Sequence, residues 1–174
     1  MATIIDVVFE ENRDVLDYLD GQKETSRRTT LAGKLTKVLA ISAASYFEFQ
    51  ITSAIASFAV SAAKGNAVVV ALIKQKAIER QYHTYFDWDK SNANKFFSLF
   101  GEEFKARIVA KIKADETLSK QVASFLELGS MRNQLAHINF ATFPLEKTSE
   151  EVYVLYKSAQ TFVDFFEAEL TRSA

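Results

Sequence analysis

Residues 38–63 of the chain, VLAISAASYFEFQITSAIASFAVSAA, decide its fold. Apolar residues cover most of the circumference of the helix that this stretch predicts, and a helix that is apolar on all sides belongs in the middle of a bundle. The stretch is also long enough to raise the question of a membrane span. Glu48 and Gln50 near its middle, with its many Ser, Thr and Ala residues, favour a buried central helix instead.

Apolar residues at three- and four-residue spacing continue on both sides of this stretch. A first helix is predicted from Ile5 to Leu19, and Thr30 is predicted to cap the central helix, which Lys64-Gly65-Asn66 ends. Further helices are expected, in chain order, over residues 68–82, on both sides of a kink at Gly101, from Asp115-Glu116-Thr117, and from Thr148-Ser149-Glu150-Glu151 to about Leu170. An aromatic loop, residues 82–94, is expected to cover one end of the bundle. The predicted fold is all-α, an up-and-down helical bundle with short additional helices, in a single domain over residues 1–174.

Composition excludes several classes of function. The chain has no cysteine, which excludes disulfides, thiolate zinc sites and thiol catalysis. Its first residues, from Met1 to Asp6, show no basic and apolar leader, so a cytoplasmic location is expected without a membrane partner. With 21 basic and 22 acidic residues the formal charge is -1, so no global field holds nucleic acid indiscriminately.

One basic segment stands out against this neutral background. It is made up of Lys23, Arg27, Arg28, Lys34 and Lys37, offset by Glu24. Such runs are usually solvated surface, and contact with nucleic acid is the alternative.

The chemistry of the chain is concentrated in Arg132-Asn133-Gln134-Leu135-Ala136-His137, at the end of a predicted helix. On an ideal helix, residues advance by about 100°, so Asn133 and His137 share a face, whereas Arg132 and His137 diverge by roughly 140°. The plain interpretation is a helix C-terminus with an exposed arginine and a histidine that interacts with the dipole. Asn133 falls on the core side, where a polar residue needs a partner, which favours a site.

A symmetric dimer would overcome the divergence of Arg132 and His137. Two copies of the helix about a two-fold axis would bring both groups to one cleft, so we expect a homodimer through this helix. An apolar contact could come from Met131, Leu135 and Ile138. Alternatively, these three side chains pack inside their own protomer.

The string Arg-Asn-x-x-Ala-His, followed by a short loop and a final amphipathic helix, resembles the HEPN superfamily. Other parts of the chain agree with the RiboL-PSP-HEPN-like branch: Tyr46-Phe47-Glu48, Trp88, Asn92-Ala93-Asn94-Lys95-Phe96-Phe97 and Leu99-Phe100-Gly101. The resemblance spans roughly residues 31–170. It implies an all-α bundle, dimerisation through the motif helices, and a metal-independent endoribonuclease that acts as a toxin or defence effector.

Carried over residue by residue, the resemblance implies that Arg132 and His137 form the catalytic pair, that Asn133 assists, and that Glu48 is a fourth, acidic residue. RNA is the implied substrate, with an antitoxin or defence-system partner. In one toxin branch a Tyr two residues after the His receives a silencing nucleotide. Here that position is Asn139, so this mode of silencing is not expected.

These residue types suit RNA cleavage. Imidazole accepts and donates protons near neutral pH, and the guanidinium fork of Arg132 matches two phosphate oxygens. Asn133 orients His137 or holds the ribose, two roles that the sequence leaves open. No cofactor and no metal ligand set is predicted. The rival function is a non-catalytic module that binds RNA or a protein.

Three other residues have two interpretations each. Glu48 is expected to be buried, and it either enters the chemistry or only pairs with Arg132 or caps a helix. His83, in the aromatic loop, is interpreted as a packing or surface residue. Trp88, with Tyr85 and Phe86, is expected to pack against the core, with RNA base stacking as the alternative.

Overall fold

The computed structural model describes residues 2–173. Met1 and Ala174, which the predicted domain includes, lie outside the described residues. The described part is all-α, as predicted, and contains eight α-helices, one π-helical turn and no strand. The helices are α1 Ile4–Gly21, α2 Thr25–Ala62, α3 Ala67–Ile73, the π-helix Lys74–Ile78, α4 Tyr82–Tyr85, α5 Asn94–Ser98, α6 Glu102–Ala114, α7 Glu116–His137 and α8 Ser149–Thr171.

Side-chain caps begin the helices that pack around the centre. Thr3 and Asp6 form a capping box on α1, and Thr148 and Glu151 form one on α8. Asp115 accepts hydrogen bonds from the backbone N–H groups of residues 117 and 118 and so begins α7. The predicted starts of α7 and α8 are therefore confirmed.

The predicted start of the central helix is wrong. Thr30 lies inside α2, which begins at Thr25 without a side-chain cap. Two exposed ion pairs accompany the additional turn: Arg28 lies 2.7 Å from Asp20 of α1, and Arg27 lies 3.2 Å from Glu24.

The third predicted helix is also wrong in its length. Instead of continuing to Tyr82, the helix loosens into the π-helix and stops before Arg80, whose φ of 59° is left-handed. The short α4 then begins inside the segment predicted as a loop. Further on, the expected break at Gly101 is confirmed, with a φ of 93° that favours glycine.

Helix α2 occupies the centre of the bundle and packs against α1, α7 and α8. Leu39, Phe47 and Ile51 are almost completely buried there. By length and composition alone α2 would also suffice to span a membrane, but core helices pass the same test, and its contacts with three helices support the prediction of a central core helix.

Side-chain contacts fix the directions of the helices. The hydroxyl of Ser124 in α7 is hydrogen-bonded to that of Ser158 in α8. Further along α7, Glu127 forms an ion pair with Lys147, just before α8 begins. Helices α7 and α8 therefore run antiparallel. Thr36 bonds Ser149 at 2.8 Å and the ring of Phe47 stacks on that of Tyr156, so α2 and α8 run parallel. This arrangement places the end of α7 beside the middle of α2.

Candidate functional site

The final turns of α7 carry the motif residues. Arg132 and Asn133 are half-buried, and His137, the last residue of the helix, is exposed. The helix continues past Gly129 and Ser130 without a break and ends where Ile138 adopts an extended conformation. Arg132 Nη1 donates a hydrogen bond to Asn133 Oδ1 at 3.2 Å.

Glu48 faces this motif from α2. Its Oε2 lies 3.6 Å from Nη2 of Arg132, and the two side chains are 40% and 36% exposed. The expectation that Glu48 is buried is therefore wrong. The residue lies at the edge of the core, where Phe47 is buried and Phe49 is exposed, because only part of the circumference of α2 is covered at this level.

One open cleft of about 380 Å³ unites the predicted residues. Its walls are Glu48, Arg80, Tyr82, His83, Arg132, Asn133 and His137. Arg132 and His137 thus line one opening within a single chain. Residues that diverge on the helix can both line this cleft because it extends across the end of α7. That one helix alone does not aim both groups at one atom stays a prediction.

The sequence did not single out Arg80, and it indicated a packing or surface position for His83, which is exposed and lines the cleft. Arg80 lies directly after the π-helical turn in a left-handed conformation, which is uncommon for a residue with a side chain. His83 is exposed on α4, between the buried Tyr82 and Tyr85. The available signal was the spacing of Tyr82 and Tyr85: when both tyrosines are buried, His83 between them faces the solvent.

Tyr82 forms the floor of the cleft. Burial raises the pKa of its phenol, the charge of Glu48 raises it further, and Arg132 lowers it. The net shift is upward, so the hydroxyl stays protonated at physiological pH and is available as a hydrogen-bond donor.

The family described as RiboL-PSP-HEPN matches the chain over residues 6–172. The chain belongs to the RiboL-PSP-HEPN family. No curated protein and no solved structure shows significant similarity to it. The resemblance drawn from the motif is therefore confirmed, and the match also includes the first helix.

In this HEPN chain Trp88 packs beneath the cleft, as predicted. Its ring contacts those of Tyr82, Phe86 and Phe125. It also lies so close to Gly129 of α7 that a Cβ added there would be 1.9 Å from Cζ3 of the indole. Only glycine allows this approach of the indole to α7.

The proposed apolar contact surface of the HEPN motif helix is mostly occupied. Met131 and Leu135 are buried in the core of their own chain, whereas Ile138 remains 49% exposed. The alternative, packing inside the protomer, is therefore correct for two of the three side chains.

The basic segment is partly neutralised in the HEPN fold. Arg27 and Arg28 pair with acids, and the buried Lys37 donates to the backbone oxygen of Phe140 at 2.7 Å. Lys37 thereby holds the loop that follows the motif. The alternative that the basic segment contacts nucleic acid stays a prediction.

Proposed function

We propose that this HEPN chain is an endoribonuclease that cleaves RNA by attack of the ribose 2′-OH, without a metal ion. One observation carries the proposal: Glu48, Arg132, Asn133 and His137 line the same cleft. Membership of the RiboL-PSP-HEPN family supports it.

The reaction requires alignment, proton transfer and stabilisation of charge. The 2′-oxygen forms a bond to phosphorus and loses its proton, while the bond from phosphorus to the 5′-oxygen breaks and that oxygen gains a proton. The products are a 2′,3′-cyclic phosphate and a 5′-OH end. In this proposal His137 transfers a proton and Arg132 binds the non-bridging oxygens, whose charge grows in the transition state.

Glu48 and Asn133 act on Arg132 in this proposal. Both bring an oxygen toward the guanidinium, at 3.6 Å and 3.2 Å respectively. They reduce the number of orientations open to Arg132 before the substrate arrives. A pair as long and exposed as Glu48 with Arg132 contributes little to stability, so the guanidinium can exchange part of it for phosphate.

The biological setting is proposed on the same basis. The enzyme acts in the cytoplasm as a toxin or defence effector, under control of an antitoxin or another defence-system partner. Two copies associate through the end of the motif helix, where Ile138 and Phe140 are exposed. Light scattering on the purified protein tests the dimer, and a monomeric mass at working concentration contradicts it.

The test of the nuclease is cleavage of RNA in EDTA by wild type, His137→Ala and Arg132→Ala. Each substitution is expected to slow cleavage by about 10² to 10⁴-fold, since it removes a group used in the transition state. Gln134→Ala is the matched control, because Gln134 belongs to the motif but lies on the wall of a different pocket. Its rate should equal that of wild type.

A second candidate is a non-catalytic module that binds RNA or a protein. The observation in its favour is that Arg132 already has two partners within the chain, as a structural residue would. Equal background cleavage by all four proteins would eliminate the enzyme and leave this module.

A further inference from the structure

We propose that His83 is a second catalytic imidazole, which shares with His137 the two proton transfers at one phosphodiester. The inference rests on the proposed nuclease function. It concerns a residue outside the motif on α7.

The placement of the histidines carries the inference. The chain has two histidines, on different helices, and both are exposed and line the same cleft. Tyr82, beside His83, contributes its phenol to the floor between α2 and α7. A substrate phosphate in this cleft therefore lies between walls to which both histidines belong.

Contacts on the core side of α4 hold His83 in place. Tyr82 and Tyr85 anchor α4 in the core on either side of it. The indole Nε1 of Trp88 donates to the backbone oxygen of His83 at 3.2 Å, and the same ring packs on Gly129 of α7. The backbone of His83 is thus tied to the helix that carries His137, as a jointly acting pair requires.

The charges around the two histidines suit a phosphodiester. Arg80 and Arg132 face a single acid, Glu48, across the cleft. The left-handed φ of 59° at Arg80 follows the π-helical turn, and both features are concentrated at functional sites in proteins. The two guanidinium groups can therefore bind the phosphate while the imidazoles act on its ester oxygens.

Two imidazoles match the proton balance of the reaction. A neutral imidazole takes the proton of the 2′-OH as the bond from the 2′-oxygen to phosphorus forms. An imidazolium gives its proton to the 5′-oxygen as the bond from phosphorus to that oxygen breaks. Exchange of protons with water restores both groups, and no further reactant is needed.

The test uses His83→Gln and His137→Gln with two RNA substrates in EDTA, one natural and one with sulfur in place of the 5′-bridging oxygen. On the natural substrate both variants are expected to lose at least about 10²-fold in single-turnover rate. A thiolate leaves without a proton, so the variant that lacks the acid should regain the wild-type rate on the sulfur substrate, and the other should not. Thr84→Ala, an exposed neighbour on α4, is the control and should cleave both substrates normally.

The outcomes separate the inference from the proposed function. Wild-type rates for His83→Gln, with His137→Gln inactive, overturn the inference and leave the nuclease intact. If both variants lose cleavage rate and the sulfur substrate restores neither, the assignment of one proton transfer to each histidine is overturned. No cleavage by wild type overturns the nuclease and the catalytic role together.

A binding measurement shows independently whether His83 contacts the substrate. The two imidazole C2 proton signals are followed by NMR during titration with RNA that has a 2′-deoxy residue at the cleavage site. Shifts of both signals with one half-saturation point support the inference. A shift of the His137 signal alone overturns it.

Discussion

The junction of α1 with α8 and the cleft at the end of α7 each contain a carboxylate, and the two are used differently. The side chain of Asp6 is 12% exposed and accepts hydrogen bonds from Thr3 N at 2.7 Å, Tyr153 Oη at 2.8 Å and Lys157 Nζ at 3.3 Å. Glu48 is 40% exposed and has one ion pair at 3.6 Å. A carboxylate whose oxygens already have several hydrogen-bond partners stabilises the fold. A carboxylate with few partners can still bind a ligand.

The largest expected effect is that of Gly129→Ala, which tests whether packing below the cleft holds it in shape. The new Cβ would overlap the ring of Trp88, so the indole must move and the segment with His83 must move with it. We expect a loss of about 3 kcal/mol in the free energy of unfolding, measured in urea, together with slower RNA cleavage.

Gly33→Ala is the matched control for this prediction. Gly33 lies inside α2, and nothing is within 4 Å of a Cβ added there. The change should stabilise the protein by about 0.5 to 1 kcal/mol, because alanine favours a helix. Equal effects of the two substitutions would contradict the role given to the contact between Trp88 and Gly129.

Glu48→Gln tests whether the carboxylate in the cleft serves the reaction and not the stability of the fold. Loss of the charge that orients Arg132 should slow cleavage by about 10²-fold. The free energy of unfolding should change by less than about 0.5 kcal/mol, since the pair is exposed. Glu127→Gln is a suitable control, because Glu127 is similarly exposed and ion-paired, with Lys147 at 2.9 Å, but lies outside the cleft. A large loss of stability with normal cleavage in Glu48→Gln would make Glu48 a structural residue like Asp6.

Asp6→Asn tests whether the carboxylate at the junction of α1 with α8 stabilises the fold. Burial by itself would raise the pKa of Asp6, but hydrogen bonds from Thr3, Tyr153 and Lys157 lower it to about 2, from 3.8. A lowered folded-state pKa contributes stability above the unfolded-state value, and that contribution is lost as the pH falls toward 2. The shift corresponds to about 2 kcal/mol at neutral pH.

The measurement is urea unfolding as a function of pH. The stability gap between wild type and Asp6→Asn should be about 2 kcal/mol at neutral pH and should close between about pH 4 and pH 2. Asp17→Asn, on the exposed side of α1, should show no gap. A gap that stays constant down to pH 2 would contradict the account, and cleavage by Asp6→Asn at neutral pH should be unchanged.

The sequence predicts the regular parts of this molecule well. The spacing of apolar residues identifies α1, and residue types typical of helix starts help to identify α7 and α8. Glycine identifies the break at residue 101, because all these signals are local. The motif residues are likewise found from their own types and spacing, whereas Glu48 came from the resemblance to the family.

The rest depends on contacts between distant segments. Nothing local requires the helix after residue 67 to become a π-helix, or Arg80 to be left-handed. Along this path Tyr82 and Tyr85 are buried and Trp88 packs against the core. The same path brings Arg80 and His83 to the cleft. For the same reason the angles of an ideal helix do not describe how Arg132 and His137 come to line one opening, because three segments of the chain form that opening.

The position of Trp88 has a practical consequence. It is the one tryptophan of the chain, and its ring lies against Gly129 on the underside of the wall that carries Arg132. The intrinsic fluorescence of the native protein therefore comes largely from a single place just behind the site. Occupation of the cleft can be followed by its emission spectrum without attaching any label to protein or ligand.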